Sequence, residues 1–283
     1  MAYWQWGDAA ATHTVLCVHG LTRQGRDFDV LAQTLVARAA GNLRVVCPDV
    51  VGRGKSDWLT EPMGYQIPHY VGDMLALLAH LKPQTLDWVG TSMGGLIGMV
   101  ACSLAPTVGV PVRRLVLNDV GPTIEWSALQ RIGQYLGKSG HFASEQQAAD
   151  AMWAIASSFG PHTPAQWLAL SKPMLKRVSS AVQEAVYALH YDPAIAVPFG
   201  LVTQEAAAQG EAAMWQAYEA ITAPTLLVRG ADSDLLSPAT ALQMTQRGPK
   251  ARLVEFAGVG HAPTLIAPDQ TAALASFLLA PSA

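Results

Sequence analysis

The sequence predicts an α/β fold with a mostly parallel central sheet flanked by helices. Three observations carry that expectation. Short β-rich apolar runs alternate with longer helical ones in the first and last parts of the chain. Several of those runs are apolar almost throughout, as strands covered on both faces must be. And the composition suffices for a large core: of 283 residues, 51% are hydrophobic and 14% charged.

The elements follow in order. Thr14-Val15-Leu16-Cys17-Val18 is a β-branched, apolar strand at 14–18. A helix is expected over 28–40, then a strand at 44–47. Val71, Met74, Leu75 and Leu78 repeat at i, i+3, i+4 and i+7, which lays one apolar stripe along a helix. A strand at 85–89 leads into an uncharged helix over 93–104, and another strand follows at 114–117. From 122 to 220 the rhythm breaks. Ala- and Gln-rich helical segments are punctuated there by Gly160–Pro161, Thr163–Pro164, Lys172–Pro173, Asp192–Pro193 and Val197–Pro198, with no strand pattern. The alternation then resumes with a strand at 225–229 and a helix at 238–246, for which Ser237 is the expected N-cap and Pro238 the first turn. A strand at 252–256 and a helix at 269–279 complete it. The expected organisation is a discontinuous core, 1–121 and 221–283, with 122–220 inserted as a helical cap.

Composition excludes several classes of function. A net charge of -3 and the lack of a basic run argue against nucleic acid. The uncharged stretch 88–112 is long enough to span a membrane, but Gly90, Gly94, Gly95, Pro106, Gly109 and Pro111 favour a strand, a turn and a buried helix. The first eight residues lack the pattern of a secretory leader. Cys17, Cys47 and Cys102 are odd in number and sit in apolar contexts, so reduced core thiols and a cytoplasmic location are expected. No metal-ligand spacing appears, and Gly52 and Gly54 lack the third glycine of a dinucleotide loop. The expected partner is a small, weakly charged molecule, with no cofactor, no metal, no nucleic acid and no membrane. Nothing in the sequence sets an oligomeric state.

Gly90-Thr91-Ser92-Met93-Gly94 is a G-x-S-x-G segment between an apolar strand and a helix. A serine there sits on a tight turn at a helix N-terminus, with glycines that let neighbouring backbone pass close by. Ser92 is the candidate nucleophile. Its weak hydroxyl needs a base. Of eight histidines, His261 follows the last strand between Gly260 and Ala262-Pro263, where a loop can swing it over the sheet edge. The third group should be a carboxylate that orients the imidazole and stabilises its cation. The loop after 225–229 offers Asp232 and Asp234. Asp234 is preferred, with Asp232 read as a turn former and Asp119, just past the strand at 114–117, kept as the alternative acid. Arg23 and Arg26 are candidates for binding a substrate carboxylate, or else form loop salt bridges.

Val15 to Leu21 is a strand ending in His19-Gly20. With Asp49 to Ser56, Gly90 to Gly95, Asn118 to Pro122, Gly230 to Pro238 and Gly260-His261, it makes the chain resemble the α/β-hydrolase superfamily, in its cap-bearing, serine-esterase-like branch. The order Ser, Asp, His agrees. The resemblance implies an α/β-hydrolase fold and an oxyanion hole made by the backbone N–H groups of Leu21 and Met93, with His19 and the Asp49 to Ser56 loop structural. It also implies hydrolysis of small to medium carboxylic esters, lactones or polyester oligomers through an acyl-enzyme. C–C bond hydrolysis of ring-cleavage products by the same triad is the alternative within the fold, and it would need cations for a dicarboxylate. Haloperoxidase-like chemistry is a side reaction the resemblance allows. Dehalogenases and epoxide hydrolases of the fold carry Asp at the nucleophile, so Ser92 argues against them. A ligand-binding protein with little turnover is the alternative of a different class.

Overall fold

A computed structural model describes residues 1–39, 41–108, 111–138, 140–178 and 186–281. The elements in chain order are β1 (Tyr3–Gly7), β2 (His13–Val18), α1 (Asp29–Arg38), β3 (Leu43–Pro48), α2 (Ile67–Leu81), β4 (Thr85–Thr91), α3 (Met93–Val108) and β5 (Val112–Asn118). Then come α4 (Trp126–Tyr135), β6 (His141–Phe142), α5 (Glu145–Ala156), α6 (Pro164–Ser171), β7 (Leu175–Val178), β8 (Val186–Leu189), α7 (Ala196–Gly200) and α8 (Gln204–Glu219). The chain closes with β9 (Thr225–Gly230), α9 (Pro238–Gln246), β10 (Arg252–Phe256) and α10 (Pro268–Leu278). The end of the helix expected over 28–40, Ala40, and part of the uncharged run 88–112, residues 109 and 110, lie outside the described residues. Among the described residues no helix is long and apolar enough to cross a membrane.

Seven strands form one sheet in the order β1-β3-β2-β4-β5-β9-β10. All neighbours are parallel except the edge pair β1–β3. Successive side chains point to opposite faces of a strand, and the apolar residues divide accordingly. Leu16, Val18, Trp88, Leu115 and Leu117 face Met74, Leu78 and Ile97 of α2 and α3. Val15, Cys17, Val89, Val116 and Val228 face Leu31 and Leu35 of α1 and Leu274 and Leu278 of α10. Truncating any one of these leucines to alanine should cost about 2–5 kcal/mol. The stripe read on α2 is buried at Val71, Met74 and Leu78 and partly so at Leu75. Ser237 accepts from the Thr240 N–H as the N-cap of α9.

Two features depart from the sequence reading. β1 was not expected: it is a five-residue edge strand, half exposed, and too short to show a decisive pattern. The segment between β5 and β9 is not all helical, because β6, β8 and β7 form a small antiparallel sheet of strands two to four residues long. This segment has its own apolar cluster around Ala148, Met152, Trp167 and Leu170. Other parts of it pack with the core: Trp215 and Tyr218 of α8, Ala128 and Ile132 of α4, and Tyr191 and Ile195 are buried in the same cluster as α3 and the sheet.

Candidate active site

β4 ends at Thr91, and the chain must reverse at once to start α3. Ser92 takes up the left-handed backbone this requires, at φ 51°. A Cβ at Gly94 would drive into the carbonyl of Val18, so only glycine lets the start of α3 lie against the end of β2. The Ser92 N–H is held by the Asn118 carbonyl at 3.0 Å. Asn118 is fully buried, and its Nδ2 donates to Thr91 Oγ1 (3.0 Å) and to the Pro263 carbonyl (2.8 Å). One amide thus ties the serine turn to the loop that carries His261.

His261 Nε2 lies 2.9 Å from Ser92 Oγ. Its Nδ1 lies 2.8 Å from Oδ2 of Asp119. The structure therefore joins Ser92 and His261 as the sequence expected, but it corrects the acid: the carboxylate on the imidazole belongs to Asp119, not to Asp234. The side chain of Asp119 is 0% exposed and that of Asp234 is 47% exposed. Asp119 follows β5 directly in the left-handed region, at φ 57°. Its Oδ1 takes the Gly230 N–H at 2.8 Å, and Ser233 Oγ donates to its Oδ2 at 2.6 Å. These bonds aim it and hold its charge in a buried place. Asp234 instead pairs with Arg131 of α4 at 2.6 and 2.9 Å. Asp232 is exposed. Ser233, which the sequence reading passed over, is the residue of that loop that reaches the site.

The strand β2 delivers His19, Gly20 and Leu21 beside Ser92, with Gly20 close enough that a Cβ there would sit 3.6 Å from the serine Cβ. His19 is fully buried. Its Nδ1 donates to the Gly20 carbonyl (2.7 Å), and its Nε2 accepts from the Val50 N–H (2.9 Å). Burial chiefly, and the charges of Arg53 and Arg23 beyond it, lower its pKa from 6.5 to about 3. The ring is therefore neutral in the folded protein and acts as a strut rather than a base. Because the unfolded chain takes up a proton below pH 6.5 and the folded one does not, stability falls as pH drops from 6.5 towards 3. Between pH 6.5 and 5 the wild type should lose up to about 2 kcal/mol more than His19→Gln in urea unfolding; equal losses would contradict the neutral strut. Met93 is the first residue of α3, and its N–H has no intrahelical acceptor. The Asp49 to Ser56 loop is a tied turn. Asp49 accepts the N–H groups of Gly25 (2.8 Å) and Lys55 (2.9 Å), and Ser56 Oγ donates to the Asp49 carbonyl.

A cavity of about 320 Å³ opens over Ser92 and His261. Its far walls are apolar side chains of the inserted segment, among them Ile132, Met152, Ile155 and Phe159. Of that segment's aromatic residues, Tyr135, Phe142, Phe159 and Tyr191 line it, whereas Trp153 and Trp167 meet edge to face, 5.0 Å apart, in the segment's own core. Arg23 lines the cavity, but Asp27 holds its guanidinium by two bonds of 2.7 Å, and it also reaches the Leu170 carbonyl at 3.3 Å. Arg26 pairs with Asp29 and lies over the Trp4 ring, off the cavity. Both arginines form the loop salt bridges the sequence allowed, Arg23 at the cavity wall and Arg26 away from it. Cys17, Cys47 and Cys102 are buried free thiols, and burial pushes Cys102 up to about 12.

Comparison with known proteins shows the family. Residues 15–274 match the model of the alpha/beta hydrolase family. The 3-hydroxybutyrate-oligomer hydrolase of Cupriavidus necator is 49% identical over 98% of this chain and 92% of its own length. An esterase of Mycobacterium tuberculosis is 27% identical over 89% of this chain and 76% of its own. The crystal structure of an alpha/beta hydrolase from Novosphingobium aromaticivorans superposes with a TM-score of 0.82 at 37% identity, covering 98% of this chain and 92% of that one.

Proposed function

The chain belongs to the alpha/beta hydrolase family and is an ester-bond hydrolase, and we propose that it cleaves short hydroxyalkanoate oligomers, of the 3-hydroxybutyrate type, through an acyl-enzyme on Ser92. The observation that carries the mechanism is the hydrogen-bonded line from Ser92 through His261 to Asp119 at the floor of the cavity. The substrate class comes from the 49% identical relative and from the cavity, which is apolar and near the small end of ligand pockets.

In this reading His261 Nε2 takes the Ser92 proton as Oγ attacks the ester carbonyl. The N–H groups of Leu21 and Met93 receive the oxyanion, each worth about a hundred- to a thousandfold in rate. His261 returns the proton to the leaving alkoxide. Water, deprotonated by the same nitrogen, then releases the hydroxy acid and frees Ser92. Asp119 keeps the Nδ1 proton in place and stabilises the imidazolium. The inserted segment serves as a cap that encloses the acyl chain. The C–C hydrolase alternative is less favoured, because the two arginines it drew on already pair with Asp27 and Asp29.

Incubation with the dimer and trimer of 3-hydroxybutyrate, followed by mass spectrometry, tests the proposal. Monomer release is expected from both; intact oligomers beside rapid hydrolysis of other esters would overturn the substrate class. Ala151 lines the cavity from α5. Ala151→Trp should lower kcat/KM for the trimer by at least about tenfold, at the scale on which an apolar pocket discriminates. p-Nitrophenyl acetate, which needs little room, should serve as well as before.

A further inference from the structure

Arg53 is a buried cation that the proposed mechanism leaves unused. Its side chain is fully buried, and no carboxylate among the described residues bonds to it. Burying a charge with no bonded carboxylate costs several kcal/mol; burial lowers the pKa of this guanidinium, with Tyr70, Tyr65 and the charge of Asp192 acting against it. Its bonds show what offsets that cost. Nε donates to the Leu21 carbonyl at 2.8 Å, Nη1 donates to the Val51 carbonyl at 2.7 Å, and Nη2 lies 3.4 Å from Met93 Sδ. The rings of Tyr70 and Tyr65 stand 4.9 and 5.8 Å from the guanidinium carbon and give the charge an aromatic wall.

Leu21 and Met93 are the two residues assigned to the oxyanion. A peptide plane carries the C=O of one residue and the N–H of the next. His19, by holding the Gly20 carbonyl, therefore fixes the plane whose N–H belongs to Leu21. Arg53 fixes the following plane through the Leu21 carbonyl. Leu21 is thus pinned on both sides, and the same fork touches Met93. Arg53 is itself pinned from outside the sheet: its backbone bridges to Tyr191, with Gly54 N–H on the His190 carbonyl (2.9 Å) and Asp192 N–H on the Gly52 carbonyl (2.8 Å). Tyr191 lines the cavity.

We infer that Arg53 is a positioning residue that holds the two oxyanion N–H groups at their working separation and ties them to the 190–192 segment seated on the substrate cavity. The inference rests on the proposed assignment of Leu21 and Met93. The planar fork holds acceptors that are spread apart in fixed directions, which a compact lysine ammonium with three rotatable donors matches less well. Displacing a catalytic group by about 1 Å costs about a hundredfold.

The test uses the whole protein and the variants Arg53→Met and Arg53→Lys, with circular dichroism to establish folding and p-nitrophenyl butyrate as substrate. Arg53→Met should lower kcat by about a hundredfold, with KM changed less than about threefold. Arg53→Lys should recover about tenfold of the loss; it carries the comparison if the methionine variant does not fold. Two inhibitors separate positioning from general packing. A butyl trifluoromethyl ketone forms a tetrahedral adduct with a serine and needs the oxyanion donors, whereas the corresponding alcohol does not. The ketone should bind about a hundredfold more weakly to the variant while the alcohol keeps its affinity. Equal weakening of both, or an unchanged kcat, would overturn the inference. Loss of all activity in Ser92→Ala, measured alongside, shows that the underlying mechanism stands; persistence of activity there would instead indict the mechanism itself.

Discussion

Ser92→Ala is expected to reduce turnover of p-nitrophenyl butyrate by about a millionfold while leaving the fold intact. The size follows from the arrangement. In the proposed mechanism the serine hydroxyl is the group that bonds to substrate, and His261 Nε2 stands 2.9 Å from it. Once the oxygen is gone, the histidine has nothing to deprotonate except water, and only oxyanion donors and binding remain. Ser92 has a left-handed backbone, so alanine accepts the same strain as serine, and unfolding by heat should be little changed. A residual rate above a thousandth of the wild type would mean that another nucleophile acts.

Asp119→Asn should lower kcat by about ten-thousandfold, and Asp234→Asn by less than about threefold. An amide at 119 that keeps its oxygen on the Gly230 N–H presents its NH2 to His261 Nδ1 and selects the wrong tautomer, while the Ser233 hydroxyl turns to accept from that NH2 and helps hold it in place. Asp234 is half exposed and bound to Arg131, so its loss removes a surface ion pair and little else. Steady-state kinetics of the two variants side by side decide the matter. The reverse ranking, with Asp234 essential, would require a rearranged 230–238 loop during turnover.

The sheet was legible because its strands are apolar on both faces and separated by helices with clear stripes and caps. Ser237-Pro238 marked the start of α9, and 252–256 was a strand to the residue. The approach of His261 to Ser92 was legible for a related reason: each sits on a turn whose glycines have a local cause. Which carboxylate meets the imidazole was not. Asp119 and Asp234 both follow strands, and each loop tolerates a carboxylate. What separates them is tertiary, since Arg131 of the inserted segment claims Asp234, and Gly230 and Ser233 turn towards Asp119. The one local hint was the position of Asp119, at the first residue beyond β5, where aspartate tolerates a left-handed backbone. β1 and the strands of the inserted segment escaped because runs of two to five residues carry too little pattern. The fates of Arg23 and Arg26 turned on partners three or four residues away on the same turn, a spacing the sequence did contain.

The measurement that bears most directly on the acyl-enzyme is its capture. The protein is mixed with p-nitrophenyl butyrate, quenched with acid within milliseconds, and read by intact mass and peptide mapping. The expected result is a single butyryl group on the peptide containing Ser92, absent from Ser92→Ala. Full hydrolysis of the ester with no adduct at any time point, or an adduct on another residue, would contradict covalent catalysis by Ser92.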